Sequence, residues 1–209
     1  MKLGFIGIGN VGFSIADRLQ TLGHQIIVGS NDVNSISLKK ALNRNPAFTT
    51  ENVQEAVNKS DVVFLATPFR FNQSVLKDIS FKGKTLVDCT NPIGPGISHG
   101  LKSEKSGAEA VQEWALDAKV VKAFNIYGFE NFADNAFPAY NVKPVMLIAG
   151  NDERAKNEVS NLLIELGFFP KDTGALSQSL HLEHMTLLWV KMVRMKGHHP
   201  HFVWAYLEK

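Results

Sequence analysis

The segment Gly7-Ile8-Gly9-Asn10-Val11-Gly12 has the spacing G-x-G-x-x-G, which is typical of loops that hold phosphate groups. In this motif the first glycine permits a tight turn, the second lets the backbone approach a pyrophosphate, and the third lets a helix pack closely on a sheet. The free N–H groups and the partial positive charge at the start of the following helix then favour the phosphates. Taken alone, the motif also fits a tight turn in an ordinary βαβ unit.

The residues that flank the motif distinguish between these two interpretations. A short apolar run, Leu3–Ile6, leads into the glycines, an amphipathic segment from Val11 to Leu22 follows them, and Ile26–Val28 is a second apolar run. Strand, glycine turn, helix and strand in this order are the setting in which the motif indicates dinucleotide binding. We therefore predict that residues 7–12 bind the pyrophosphate of a dinucleotide.

Small polar residues and prolines follow three further apolar runs of the chain. In a doubly wound sheet, ligands bind outside the carboxyl ends of the strands, so residues that follow different strands can meet in one crevice. Ordinary turn chemistry is the alternative for each of them, because proline and asparagine are common after strands. The crevice predicted here runs from the pyrophosphate toward the nicotinamide and comprises Thr67, Pro68, Thr90, Asn91, Pro92 and Asn125. We also predict that Ala123 contacts the cofactor.

The second apolar run ends at the tip Gly29-Ser30-Asn31-Asp32, the position that selects between NAD and NADP. NAD-binding folds usually place Asp or Glu at this tip, where the carboxylate binds the ribose 2′-hydroxyl. Ser30 and Asn31 can instead donate hydrogen bonds to a 2′-phosphate, and two lysines and an arginine follow on the next predicted helix. The carboxylate of Asp32 argues against NADP, because it could still reach the ribose of NAD. The alternative is that Asp32 belongs to a turn or caps a helix. We predict NADP(H) as the cofactor, in contact with Ser30 and Asn31.

Strand-like and helical patterns alternate along almost the whole chain. This alternation predicts an α/β fold of the Rossmann type, with a doubly wound, mostly parallel sheet and helices on both faces. We predict a dinucleotide-binding domain over residues 1–174 and a C-terminal helical extension over 175–209, packed on the same domain. Further predicted elements are strands at 61–66, 85–88, 119–124 and 145–149, an edge strand at 168–170, a long loop at 91–105, and helices at 35–42, 50–57 (N-cap Thr50), 152–166 (N-cap Asp152), 176–195 and 202–206.

The composition of the 209 residues argues against several classes of function. A net charge of +2, with no basic stripe, gives no indication of nucleic-acid binding. No apolar run approaches the roughly 18–20 residues of a membrane span, and with no signal peptide and one cysteine we expect a cytoplasmic protein. Histidines at 181, 184, 198, 199 and 201 lack the cysteine or carboxylate partners of a zinc pattern, so we predict no metal site.

Six ordered motifs together carry a resemblance to a known family, at residues 7–12, 29–30, 86–92, 120–125, 149–156 and 167–174. They resemble those of the deazaflavin (coenzyme F420)-dependent NADP reductases and of the related cytosolic NADPH-binding domain of the six-transmembrane epithelial ferric reductases. In that family an arginine usually follows the Gly-Ser tip and holds the 2′-phosphate, whereas this chain has Asn31. The resemblance implies hydride transfer between NADP(H) and a deazaflavin or flavin that lies near the strand ends.

Hydride transfer demands little of side chains, since it needs the nicotinamide held close to the acceptor with water excluded. We therefore predict no catalytic acid or base. The predicted function is an NADP(H)-dependent oxidoreductase acting on a deazaflavin or flavin-like small-molecule acceptor. A non-catalytic NADP(H)-binding or sensing module stays open as the alternative. The apolar surface of residues 176–195 is compatible with a homodimer or with simple cover for the sheet.

Overall fold

The apolar runs of the chain form ten β-strands in a computed structural model that describes residues 1–209. In chain order they are β1 (Lys2–Ile6), β2 (Gln25–Gly29), β3 (Thr49–Glu51), β4 (Val62–Leu65), β5 (Thr85–Asp88), β6 (Ile93–Gly94), β7 (Ser98–His99), β8 (Lys119–Lys122), β9 (Val145–Gly150) and β10 (Phe169–Asp172). Strands β6 and β7 form a short hairpin, and the other eight form one sheet.

The sheet has the order β10-β9-β8-β5-β4-β1-β2-β3. The six strands from β8 to β3 in this order are parallel to their neighbours, and β1 pairs with both β2 and β4. The chain runs outward from β1 to β3 and then crosses back to β4, so the strand order reverses between β1 and β4. Strand β9 is antiparallel to β8, and β10 is parallel to β9. The predicted Rossmann-type, mostly parallel and doubly wound sheet is confirmed.

The chain also forms eight α-helices, of which the first seven lie between strands and the last follows β10. They are α1 (Asn10–Thr21), α2 (Ile36–Arg44), α3 (Val53–Lys59), α4 (Asn72–Leu76), α5 (Gly107–Trp114), α6 (Glu130–Ala133), α7 (Glu153–Glu165) and α8 (Ser179–Lys196). Successive side chains of a strand point to opposite faces, so the central strands β1, β4, β5 and β8 contribute to two cores. Phe5 and Phe64, whose rings stack 4.6 Å apart, share one core with α1, α7 and α8. Ile6 and Leu65 share the other with α3, α4 and α5. None of the helices combines the length and the apolar character that a membrane crossing requires.

Two predicted helix starts have different outcomes. Asp152 caps α7 as predicted, because its Oδ1 accepts a hydrogen bond of 2.9 Å from the N–H of Ala155. The prediction of Thr50 as a cap is wrong: Thr50 lies in β3, where it is the register partner of a residue in β2. The side chain of Asn52 caps α3 instead, accepting from the N–H of Glu55 at 2.9 Å. Pairing of β3 with the sheet edge therefore delays the helix start to Val53.

The predicted helix at 202–206 is also wrong, since no helix follows α8. Helix α8 ends at Lys196, and the residue that caps it, Gly197, has a φ of +72°. Beyond it, the carbonyl oxygen of Trp204 accepts from the N–H of Val145 at 2.9 Å, and the N–H of Trp204 donates to the hydroxyl of Tyr127 at 3.1 Å. The C-terminal tail thus satisfies its backbone against the beginning of β9 rather than within a helical turn.

Gly12 sets how closely α1 approaches the turn after β1. A Cβ at this position would lie 2.3 Å from the carbonyl oxygen of Gly7, a backbone atom that cannot move without shifting the turn. We expect Gly12→Ala to lower the free energy of unfolding by roughly 1–3 kcal/mol, measured by urea denaturation. Gly9→Ala is the matched control, because a Cβ there meets nothing within 4 Å. Its cost should stay below about 1 kcal/mol, and equal losses for the two variants would contradict the packing argument.

Candidate functional site

A cleft of about 760 Å³ opens at the carboxyl ends of β1, β2, β4 and β5, where the strand order reverses. Doubly wound sheets bind their ligands at such a point. The wall of the cleft consists of the glycine turn after β1, the tip after β2 and the loops after β4 and β5. Of the predicted cofactor-binding residues, those that line the cleft are Gly7, Ile8, Gly9, Asn10, Val11, Ser30, Asn31, Thr67, Pro68 and Asn91.

The glycine turn leaves an open cradle at the start of α1. Gly7 has a φ of +93°, and a Cβ there would lie 2.6 Å from the backbone nitrogen of Thr67, so only glycine fits. Gly9 is the N-cap of α1, and no side chain caps the helix. A Cβ on Gly9 would meet nothing within 4 Å, which leaves space beside the uncapped N–H groups of the first turn. This space and these donors, together with the helix dipole, fit a pyrophosphate.

Four of the predicted residues lie behind the cleft wall rather than on it: Gly12, Pro92, Ala123 and Asn125. Strand β8 is shorter than predicted because Phe124 has a φ of +55°, which turns the chain and leaves Asn125 only 1% exposed. The side-chain NH2 of Asn125 lies 3.2 Å from Thr186 Oγ1 and 3.4 Å from Asn91 Oδ1. Thr186 Oγ1 lies 3.0 Å from the same Asn91 oxygen. Asn125 therefore supports Asn91, which does line the cleft, from behind.

The tip after β2 is a turn that uses most of its polar groups internally. Asn31 Oδ1 accepts from the N–H of Val53 at 3.0 Å, and Asp32 Oδ1 accepts from the N–H of Asn34 at 2.8 Å. These bonds leave the side-chain NH2 of Asn31 without a partner in the chain. Asp32 is the one charged side chain among the residues that line the cleft. A 2′-phosphate at this end would therefore meet neutral donors and no cation on the wall.

The cations of helix α2 do not line the cleft. The ammonium of Lys39 donates to Asn34 Oδ1 at 3.1 Å, and the guanidinium of Arg44 lies 3.8 Å from the ring centroid of Phe13. Lys40 and Arg44 border a separate, smaller hollow of about 270 Å³ on the outer side of the Gly9 cradle. They contribute positive potential near the cradle without lining the main cleft.

The wall on the side of β4 and β5 is largely apolar. Its apolar side chains include Phe69, Val75, Cys89, Ile93 and Phe129. Burial raises the pKa of the Cys89 thiol well above its ordinary value, and the neighbouring carboxylate of Asp88 raises it further. The thiol therefore stays protonated and is a poor nucleophile. This wall suits a flat ring but supplies no acid or base.

Behind this wall lies a buried ionic cluster that no sequence motif indicates. Lys122 Nζ is 2.9 Å from Asp88 Oδ2 and 2.8 Å from Glu183 Oε1, and these side chains are at most 1% exposed. Lys122 also donates to the carbonyl of Thr90. Burial alone would lower the pKa of Lys122, but the two carboxylates outweigh it and raise this pKa above its ordinary value. The sequence gives one signal of this cluster, namely that a charged residue ends each of two apolar runs: Asp88 after Leu86-Val87 and Lys122 after Val120-Val121.

Helix α8 joins the cluster through Glu183. Its Oε2 lies 2.8 Å from His99 Nε2 and accepts from the N–H of Gly107, the first residue of α5, at 2.9 Å. His99 Nδ1 accepts from the N–H of Ser103 at 3.1 Å, so the ring proton of the neutral imidazole is on Nε2 and is donated to Glu183. The cluster therefore connects β5, β8, the hairpin, α5 and α8.

Residues 2–92 match the protein family described as "NADP oxidoreductase coenzyme F420-dependent". Metalloreductase STEAP3 of Rattus norvegicus is 32% identical over 189 residues, which are 89% of this chain and 36% of that protein. The F420-dependent NADP reductase of Methanothermobacter marburgensis is 27% identical over 213 residues, which are 92% of each chain. A crystal structure from Arthrobacter sp. FB24, of an inferred F420-dependent NADP reductase, matches with a TM-score of 0.86 over 100% of both chains at 25% identity.

These matches confirm the resemblance carried by the six sequence motifs, including the relationship to the metalloreductases. The chain spans only about a third of the length of the metalloreductase relatives, since the match covers 36% of STEAP3. The family match at 2–92 contains the glycine turn, the tip after β2 and the loops that directly follow β4 and β5. It therefore contains most of the cleft wall.

Removal of the Lys122 cation would leave two carboxylates buried without a counter-ion. We expect Lys122→Met to lower the free energy of unfolding at pH 7 by about 3–5 kcal/mol, measured by urea denaturation. Arg154→Met is the control, because it removes an arginine whose side chain is 85% exposed in its ion pair with Glu158. That variant should lose less than about 1 kcal/mol.

The loss caused by Lys122→Met should shrink as the pH falls. In the wild type the cation lowers the pKa of Glu183 in spite of its burial. The ion pair of Glu183 with Lys122 therefore stabilises the fold fully above 4.5, the ordinary pKa of a glutamate. This stabilisation disappears as the pH falls through the lowered pKa of Glu183. In the variant, protonation of the carboxylates instead relieves a buried charge. A difference between the two proteins that is the same at pH 7 and pH 4 would contradict these charge assignments.

Proposed function

We propose that this chain, whose residues 2–92 match the family of coenzyme F420-dependent NADP oxidoreductases, is an NADP(H)-dependent oxidoreductase. The reaction passes hydride between the nicotinamide and a flat deazaflavin or flavin-like acceptor. The observation that carries the proposal is the open cradle at Gly9, where uncapped helix N–H groups border empty space at the switch point of the sheet.

The cradle at the start of α1 would hold the pyrophosphate of the proposed cofactor, and the cleft would hold its two halves. The free NH2 of Asn31 would donate to the adenosine 2′-phosphate, and Ser30 would do so only by turning its hydroxyl away from the Asp32 carbonyl, to which it donates at 2.9 Å. Thr67 and Asn91 would contact the nicotinamide half. The remaining lining residues of the predicted set contact the cofactor through backbone or apolar atoms: Gly7, Ile8, Asn10, Val11 and Pro68. Residues behind the wall act indirectly, Asn125 by holding Asn91 in place.

Bound NADPH supplies the hydride, so the chain has to supply position and exclusion of water rather than a proton. The apolar wall formed by Phe69, Ile93 and Phe129 excludes water where the reacting ring would lie. Thr67, Thr90 and Asn91 provide the polar contacts on the same side. We assign no acid or base role to any residue.

A deazaflavin is the favoured acceptor because of how the relatives align. The F420-dependent NADP reductase of M. marburgensis matches over 92% of both chains, whereas STEAP3 matches through 36% of its length. A non-catalytic NADP(H)-binding module is the second candidate, because hydride transfer needs no acid or base and the same cleft lining would therefore serve a binding module.

The proposal is tested by NADPH oxidation with coenzyme F420, flavin mononucleotide and a ferric chelate as acceptors. We expect the wild type to reduce the deazaflavin, and Gly9→Asp to weaken NADPH binding in calorimetry by about a hundredfold or more while the protein stays folded. The new carboxylate would occupy the cradle and repel the phosphates. Tight NADPH binding without oxidation by any acceptor would favour the binding module. Unchanged affinity of Gly9→Asp would remove the cofactor site from the cradle.

Cofactor preference should respond to a cation at the tip after β2. We expect the wild type to bind NADPH more tightly than NADH, and Asn31→Arg to widen this preference about tenfold, since a charge-assisted bidentate contact replaces a neutral one. Val33→Arg is the control, because it adds the same charge at an exposed position of the same loop that does not line the cleft. Tighter binding of NADH by the wild type would mean that Asp32 binds the ribose and that the assignment is wrong.

A further inference from the structure

A continuous series of hydrogen bonds connects the buried cation Lys122 to the cleft. Asp88 binds Lys122 through Oδ2 and accepts from the hydroxyl of Thr90 through Oδ1, at 2.6 Å. The Nδ2 of Asn72 lies 3.0 Å from Thr90 Oγ1, and its Oδ1 lies 2.7 Å from Thr67 Oγ1. Thr90 and Thr67 line the cleft, whereas Asn72 is 0% exposed and lies behind its wall. We refer to this series as the Lys122–Thr67 chain.

The cation fixes the direction of every hydrogen bond in the chain. The carboxylate of Asp88, paired with an ammonium, can only accept, so the hydroxyl proton of Thr90 must be donated to it. Thr90 Oγ1 then accepts from its other neighbour, and only the NH2 of Asn72 can donate there. The carbonyl oxygen of Asn72 is thereby left beside Thr67, whose hydroxyl proton is committed to it.

Thr67 therefore offers the cleft an acceptor and no donor. A hydroxyl has one proton and two lone pairs, and no other group of the chain donates to Thr67 Oγ1. Thr67 follows β4, which pairs with β1 on the side opposite to β2, whose tip carries Ser30 and Asn31. With the pyrophosphate at the start of α1, Thr67 lies on the side of the nicotinamide half. The donors on that half are the ribose hydroxyls and the carboxamide NH2.

We propose that Asn72 is a positioning residue for the nicotinamide half of the cofactor, because it holds Thr67 as an obligate acceptor for a ribose hydroxyl or the carboxamide NH2. The inference rests on the proposed function, since it requires a dinucleotide in the cleft. Asn72 is fully buried and acts only through Thr67 and Thr90. Its removal therefore affects ligands that possess a nicotinamide half and spares ligands that lack one.

Calorimetry with two ligands tests this role, namely NADPH and adenosine 2′,5′-bisphosphate, which lacks the nicotinamide half. We expect Asn72→Ala and Thr67→Val each to weaken NADPH binding roughly tenfold, and to change bisphosphate binding by less than about twofold. The double variant should be no weaker than Thr67→Val alone, because both substitutions remove the same contact. Thr67→Ser keeps the hydroxyl and should bind NADPH as the wild type does.

Asn135→Ala is the matched control for loss of a buried amide. Asn135 donates to the carbonyl of Leu166 at 2.9 Å and does not line the cleft, so its removal should lower stability and leave both affinities unchanged. Equal weakening of both ligands by Asn72→Ala, or additive effects in the double variant, would overturn the positioning role. Should Asn72→Ala fail to fold, equal NADPH affinities of Thr67→Val and Thr67→Ser overturn it as well.

Failure of this inference is distinguishable from failure of the proposed function. A wild type that binds neither NADPH nor the bisphosphate would reject the proposed function, and the role of Asn72 with it. A wild type that binds NADPH, together with Asn72 and Thr67 variants that bind it equally well, would reject only the role of Asn72.

Discussion

The pairing of Lys122 with Asp88 and Glu183 is the buried interaction on which the arrangement of the cleft depends. A single ion at this depth costs several kcal/mol when it lacks a partner, about as much as a domain can tolerate losing. Here each charge has an opposite neighbour, and the remaining hydrogen-bonding groups are satisfied by the Thr90 carbonyl and the first N–H groups of α5. Such a cluster adds little net stability over apolar packing, but it accepts few alternative geometries. It therefore holds β5, β8, α5, α8 and the hairpin in one relative position.

The two sides of the cleft are built by different means. On the side of β2, the backbone of the glycine turn and the start of α1 create the cradle, so the identity of most side chains matters little there. On the side of β4 and β5, the orientation of two polar side chains, Thr67 and Thr90, derives from one buried cation, whereas Asn125 and Thr186 hold Asn91. Backbone donors suit phosphates, which every dinucleotide shares. Oriented hydroxyl and amide groups suit the ribose and ring substituents, where alignment decides the rate.

The strands, the glycine turn and the cap at Asp152 were predictable because each has a local signal. Apolar runs persist wherever a strand is buried on both faces, and one carboxylate suffices to cap a helix. The predictions for Thr50 and for residues 202–206 were wrong because contacts with distant parts of the chain decide the structure there. Thr50 pairs with β2, and the tail is hydrogen-bonded to Val145. The ionic cluster joins side chains from four distant parts of the chain, so no local pattern contains it. The cradle could thus be predicted from sequence, whereas the support for Asn91 could not.

The region that carries the family match, residues 2–92, is not a self-contained module. It ends shortly after β5, whose outer edge hydrogen-bonds to β8 and whose Asp88 is the register partner of Lys122. A fragment cut at this boundary would expose an unpaired strand edge and an unneutralised carboxylate, a combination that favours aggregation and misfolding. The later part of the chain supplies the counter-charge that the part with the family match requires. Chimeras that exchange C-terminal halves between relatives will therefore be less stable where the incoming half lacks a cation at the end of β8.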